Sequence, residues 1–305
     1  MSMIIGIILK QRPADTVTIV FLLFLAVLTA TFYQDVPKAP FLINLYSTLV
    51  IIQIMLIKFQ NKNRFTGLFY NIIFPILCVL LIFDSLEWVV HYINPEDVDP
   101  VLIKLDYMIF GNHPTIMLEK VMNPLLTDLL QISYTSYYFI PISFGIVLFL
   151  NGQKREFNRT LFLILFCFYL SYLGYILFPA LGPRFTIDHL QSVKFQGLLI
   201  TEPIQELLNR LEGIKRDAFP SGHTAVTLVV LYLAYRFDQR FFRIFLPIVV
   251  SLIFSTVYCR YHYVVDVIAG IGLTVLTVLL GEWYYGWWIK RQEDKPNIIK
   301  RLREP

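Results

Sequence analysis

The chain has 305 residues, of which 56% are hydrophobic and 16% charged, with a net charge of +4. Soluble domains carry about a quarter charged residues, so a soluble globular enzyme and a nucleic-acid binder are both excluded and an integral membrane protein is indicated. The apolar runs reach the roughly 20 residues that cross a bilayer as a helix, without the ten-residue alternation of an outer-membrane barrel.

Hydrophobicity predicts an all-α protein of about eight transmembrane helices, near residues 15–33, 40–58, 67–90, 127–150, 160–181, 221–236, 241–259 and 263–285. The first run, Val17 to Phe32, is followed by Tyr33-Gln34-Asp35 rather than by small residues, so it is expected to stay as an anchor. The third carries Asp84 and Glu87 near its end.

Between His91 and Asn123 an acidic stretch precedes Val101, Leu102, Leu105, Met108 and Ile109, whose helical spacing predicts a helix lying at the membrane interface. A second long loop, Gly182 to Phe219, contains a predicted helix from Glu202 to Leu211. Cys78, Cys167 and Cys259 show no paired spacing, so neither a disulfide framework nor a cysteine metal site is expected.

The expected organisation is residues 1–125 as N-terminal spans and loop, 126–288 as a catalytic core, and 289–305 as a basic tail. Most of the 26 Lys and Arg residues, among them Lys10, Lys154, Arg155, Arg240 and Lys290, fall in pieces that share one side if both termini are cytoplasmic. That topology puts the ends of spans five and seven and the starts of spans six and eight on the extracytoplasmic face.

Those four ends carry the chemistry-bearing residues. Pro220-Ser221-Gly222-His223 opens span six, and Arg260-Tyr261-His262-Tyr263-Val264-Val265-Asp266 opens span eight. Ionisable groups at the edges of membrane helices mark functional sites. His262 and Asp266 are four apart and share a helix face, so the carboxylate is expected to accept from one imidazole nitrogen and leave the other as a nucleophile or base. His223 is placed to act as a general acid. Ser221 and Gly222 offer a hydroxyl and a closely approachable helix start to an anion. Arg184, Arg260, Lys215 and Arg216 are the candidate phosphate cations. The combination predicts phosphoryl transfer through a phosphohistidine, with no metal and no cofactor. The competing reading is a non-catalytic lipid-binding or transport protein.

Pro220-Ser221-Gly222-His223 followed by His262-x-x-x-Asp266 resembles the type 2 phosphatidic acid phosphatase superfamily of membrane lipid phosphatases and phosphotransferases. Phe178-Pro179-Ala180-Leu181-Gly182-Pro183-Arg184, with His262 to Asp266, is most similar to the branch containing inositol phosphorylceramide synthases. The resemblance implies a helical-bundle core, His262 as nucleophile, Asp266 as its orienting partner, His223 as acid, and Arg184, Ser221 and Gly222 as phosphate ligands. It also implies a lipid phosphate substrate and, for a transferase, an alcohol acceptor such as inositol. Two family cations are absent: Leu177 stands where the first motif has Lys, and Thr256 where the third has Arg, while Phe185 replaces a Pro. Arg260, Arg216 and Lys215 are the expected substitutes.

Overall fold

Six apolar stretches fold into helices long enough to cross a membrane in the computed structural model, which describes residues 11–211 and 214–301. Lys10 and the last four residues of the predicted tail lie outside that range. In chain order, α1 is Pro13–Thr31 and α2 is Ala39–Phe59. α3 runs from Arg64 to Ser85 with a π-helical turn at Phe69–Ile73, and α4 is the short Glu87–Ile93. The predicted third span therefore ends before Leu86, at its acidic residues, and the chain restarts as a separate helix.

α5, Asp99–Phe110, lies in the first long loop. Its inner face buries Asp99, Leu102 and Asp106, and its outer face exposes Val101, Leu105, Met108 and Ile109. An apolar outer face on a helix outside the bundle is the pattern of an interfacial helix.

α6, Pro124–Thr135, and α7, Ile140–Leu150, form a pair bent by 48° where one straight span was expected. α8 is Lys154–Leu177, α9 is Thr201–Leu211, α10 is Gly222–Phe237, α11 is Gln239–Tyr258, and α12 is Val264–Arg301. By length and composition this gives six membrane crossings, or seven with the bent pair, among the described residues. The expected span at 221–236 is a helix of only 16 residues, with most of its positions buried. The basic tail continues α12 as helix as far as Arg301 rather than leaving it at Lys290.

α8 is the axis of the bundle and packs against α1, α3, α7, α10 and α12. At one end of it the polar residues that enter the bundle are paired. Arg12 is buried and bonds Asp15, Asn71 and Asn158, while Gln53 and Tyr70 also donate to the Asp15 carboxylate. Arg159 forms an ion pair with Glu282 at the same end. Each charge has a partner because an unpaired ion would be costly in an apolar bundle.

The opposite end gathers the loops, and three buried carboxylates organise it. A helix start leaves its first backbone amides without intrahelical partners. Asp106 accepts from the amides of Val264 and Val265 at 3.0 and 2.9 Å and so caps α12 from a remote part of the chain. Asp99 accepts from the amides of Leu181 and Gly182 and from the Tyr263 hydroxyl. Asp128 accepts from four consecutive amides, Leu198 to Thr201, at the start of α9.

Asp106→Ala strands two amides at the start of α12, at roughly 1–3 kcal/mol for each one left unsatisfied. Thermal unfolding in detergent is expected to show a lower Tm for Asp106→Ala and a smaller loss for Asp106→Asn, which keeps one acceptor oxygen. An unchanged Tm in Asp106→Ala would show that those amides find other partners.

Candidate active site

The two motifs predicted to cooperate are brought together where α8, α10, α11 and α12 meet. Ser221 caps α10, its Oγ accepting from the Thr224 amide at 3.3 Å and from the Thr224 hydroxyl at 3.1 Å. The Ser221 amide donates to the Asp266 carbonyl at 3.1 Å, joining the mouth of α10 to the first turn of α12. Gly222 lies against α8 so closely that a Cβ there would stand 2.3 Å from the Tyr175 hydroxyl, which would have to shift to admit it. Gly182 has φ +87° and faces the Tyr261 carbonyl, where a Cβ would come within 2.5 Å.

His223 sits in the first turn of α10, and His262 in the turn between α11 and α12. Their rings face each other, His262 Nε2 being 3.5 Å from His223 Nδ1. Both are buried. His262 Nδ1 lies 2.8 Å from the carbonyl oxygen of Ala218, which can only accept, so Nδ1 carries the ring proton and Nε2 keeps its lone pair. Asp266 lies farther away, with Oδ2 3.4 Å from the same Nδ1, and that oxygen accepts from the Tyr263 amide at 2.8 Å. The carbonyl of Ala218 is therefore the shorter orienting contact, and Asp266 the second. Burial drives the His262 pKa down to about 4 against the opposing charge of Asp217, so the imidazole is neutral at ordinary pH.

His223 is clasped by aromatic rings, with Tyr134 stacked at 4.4 Å and Tyr137 at 4.1 Å between centroids. Its Nε2 is buried and has no hydrogen-bond partner. Asp217 lines the cavity that His223 faces. Tyr134, Tyr137 and Asp217 were not singled out by the motif reading. The tyrosines arrive from α6 and its 3₁₀ extension, far away in sequence. Asp217 had a signal in its place just before the Phe219-Pro220-Ser221-Gly222-His223 run.

The four candidate cations divide into two kinds. Arg260, in a left-handed backbone conformation at φ 64°, is buried and bonds Glu119 at 3.0 Å and the Val193 carbonyl at 2.7 Å. Arg216 is paired with Asp97 at 3.0 Å and donates to the Pro95 carbonyl. Both guanidinium groups are thus committed to tying loops together. Among the described residues no ion pair engages Arg184 or Lys215. Arg184 packs between the rings of Phe185 and Tyr261, 4.6 and 4.8 Å from their centroids, and the Lys215 ammonium lies 5.9 Å from the Phe185 ring. The charge of Arg184 is among the influences that lower the His262 pKa. Among the described residues, no group of three or more His, Cys, Asp or Glu side chains is placed to hold a metal ion.

The chain is similar to known proteins over about half its length. A phosphoinositol dihydroceramide synthase of Bacteroides thetaiotaomicron is 27% identical over 169 residues, covering 50% of this chain and 54% of that protein. A PA-phosphatase related-family protein of Dictyostelium discoideum is 22% identical over 186 residues, covering 54% of this chain and 34% of that protein. The chain thus spans about half and about a third of the lengths of these two relatives. No solved structure matches it. The family model of the PAP2 superfamily matches residues 101–280, more than half of the chain and the whole of the two-histidine site, and the protein belongs to that superfamily.

Proposed function

We propose that the protein is a membrane enzyme that cleaves or transfers a lipid phosphate ester through a phosphohistidine at His262. The observation that carries this reading is the pair of buried imidazoles, His262 with Nε2 as its lone-pair nitrogen 3.5 Å from His223 Nδ1, and His223 with an unpartnered Nε2. Structural histidines in an apolar bundle have their nitrogens bonded. The unbonded Nε2 of His223 belongs to a ring that lines a cavity with Asp217, and so is open to a substrate group.

In this reading a lipid phosphate seats its oxygens toward Arg184 and Lys215. His262 Nε2 attacks phosphorus while the bond to the leaving oxygen breaks. His223, which takes up a proton from water as the negative phosphate arrives beside it, gives that proton to the leaving oxygen. Water, or an alcohol of an acceptor, then attacks the phosphohistidine, loses its proton to neutral His223, and releases His262. Asp266 and the Ala218 carbonyl hold the His262 ring and stabilise the charge it gains on attack. Hydrolysis and transfer share the first half; the likeness to a phosphoinositol dihydroceramide synthase supports transfer to an alcohol, with inositol-bearing lipids as first candidates. The distribution of Lys and Arg supports cytoplasmic termini and an extracytoplasmic site.

His262→Ala is expected to lower turnover by about 10³-fold or more, with the protein still folded, and to abolish the acid-labile phosphoenzyme formed from radiolabelled lipid phosphate. Residual turnover near wild type would remove His262 as nucleophile.

Arg184→Ala is expected to lower kcat/KM about 10- to 100-fold, that is roughly 1.4–2.8 kcal/mol of lost transition-state binding. Arg260→Ala should instead lower the Tm and leave inhibition by inorganic phosphate nearly unchanged. A reversed pattern would exchange their roles.

The pH dependence tests the His262 environment. Its folded pKa lies below the ordinary 6.5, so acidification through about 4 protonates Nε2 and removes the nucleophile, while unfolding takes up the proton earlier and stability declines between those values. With a phosphodiester lipid, whose charge is constant over this range, the acid limb of kcat/KM attributable to His262 should lie near pH 4, and a limb centred at 6.5 would show a solvated imidazole.

A further inference from the structure

The cavity that reaches His223 does not stop at the loops. It continues down the bundle as a groove of about 390 Å³ whose walls are α3, α7 and α8. Asp217, Tyr175 and His223 line its upper end. Below them the surface is apolar: Ile76, Val79 and Phe83 from α3, Ile142 and Ile146 from α7, and Phe168 from α8. Leu80 and Ile142 lie in this wall and are exposed at its rim, so the groove opens sideways between α3 and α7, where the bilayer would be. Its far end is polar. Asn71, in the π-helical turn of α3, lines the bottom and accepts from the buried Arg12 at 2.7 Å. Asn158 shares the same guanidinium.

Two features identify the occupant. The groove reaches His223, whose ring is 3.5 Å from His262 at their nearest nitrogens, so a molecule lying in it carries its polar end beside the site. Its α8 wall runs from Phe157 to Tyr175, about 27 Å at 1.5 Å per residue, against about 15 Å for half the hydrocarbon core of a bilayer. Resting on the functional reading above, we propose that this groove holds one extended apolar chain of the lipid whose phosphate is attacked. The Asn71–Arg12 floor then sets the greatest chain length that fits without leaving apolar atoms against a polar cluster. One wall, α3, lies outside residues 101–280, so the chain-selecting surface is supplied by a part of the protein beyond the region that matches the superfamily.

The probe is phosphatidic acid with a diazirine at the end of one palmitoyl chain, photolysed with full-length His262→Ala protein in nanodiscs, and phosphatidylcholine with the same chain as the bulk-lipid arm. The expected result is phosphatidic acid label concentrated on residues 72–80, 142–146 and 157–165, with the phosphatidylcholine label spread over the bundle exterior. Equal labelling by both lipids, or label only on outward positions, overturns the proposal.

Gly145 tests the floor. A Cβ there would point to Phe157, 4.0 Å away, and both residues line the lower groove. Gly145→Phe should lower the ratio of kcat/KM for dioleoyl over dihexanoyl phosphatidic acid at least tenfold, and Ile76→Trp, from the opposite wall, should do the same. Ratios unchanged in both variants overturn it. Label in the groove without turnover of any phosphate lipid by the wild type would remove the enzymatic reading and leave the groove standing. Turnover with label elsewhere would do the reverse.

Discussion

The backbone amides at the start of α12 decide where the site is. A helix that begins inside a protein must have its first N–H groups bonded, and α12 begins among packed aromatic residues with no side chain of its own to do this at Val264 and Val265. Asp106 supplies the acceptors from the interfacial helix α5. In the same first turn, the Asp266 carbonyl takes the Ser221 amide. These bonds fix the mouths of α10 and α12 to one another and to the loop that covers them, and the positions of both histidines follow.

Charge is distributed around the site by the same logic. Of the four cations considered at the end of the bundle that carries the loops, two are neutralised by the chain itself, Arg260 by Glu119 and Arg216 by Asp97. Glu119 also accepts from Ser192 and Val193. One carboxylate thus joins the first long loop, the second, and the turn carrying His262. Arg184 and Lys215, which no ion pair engages among the described residues, lie near the ring of Phe185.

Much of this was legible in the sequence. Membrane class, the apolar outer face of α5, the helix at 201–211 and the meeting of the two motifs follow from periodicity and from polar residues at helix edges. Arg260 shows the limit. Its place two residues before His262 suggested a phosphate ligand, but which way a guanidinium turns depends on Glu119, 141 positions away. The Ala218 carbonyl was equally invisible, because a backbone acceptor leaves no mark on composition, and it lies nearer to His262 Nδ1 than the carboxylate that the i, i+4 spacing favoured. Tyr134 and Tyr137 read as ordinary aromatic residues of an apolar run until the bend between α6 and α7 presents them to His223. The 16-residue α10 is buried at most of its positions; hydropathy measures the run but not what surrounds it.

The buried cluster around Arg12 bears on how the protein can be rebuilt. Its guanidinium is shared between Asp15 of α1, Asn71 of α3 and Asn158 of α8, with Gln53 of α2 joining through Asp15. Four helices therefore meet in one hydrogen-bonded knot, three of them N-terminal to the part that matches the superfamily and one at its centre. An engineer who grafts the N-terminal helices of another family member onto this core would strand Asn158, and whoever transplants this core would leave Arg12 behind. The two halves are interlocked parts, and swapping either one means redesigning the joint.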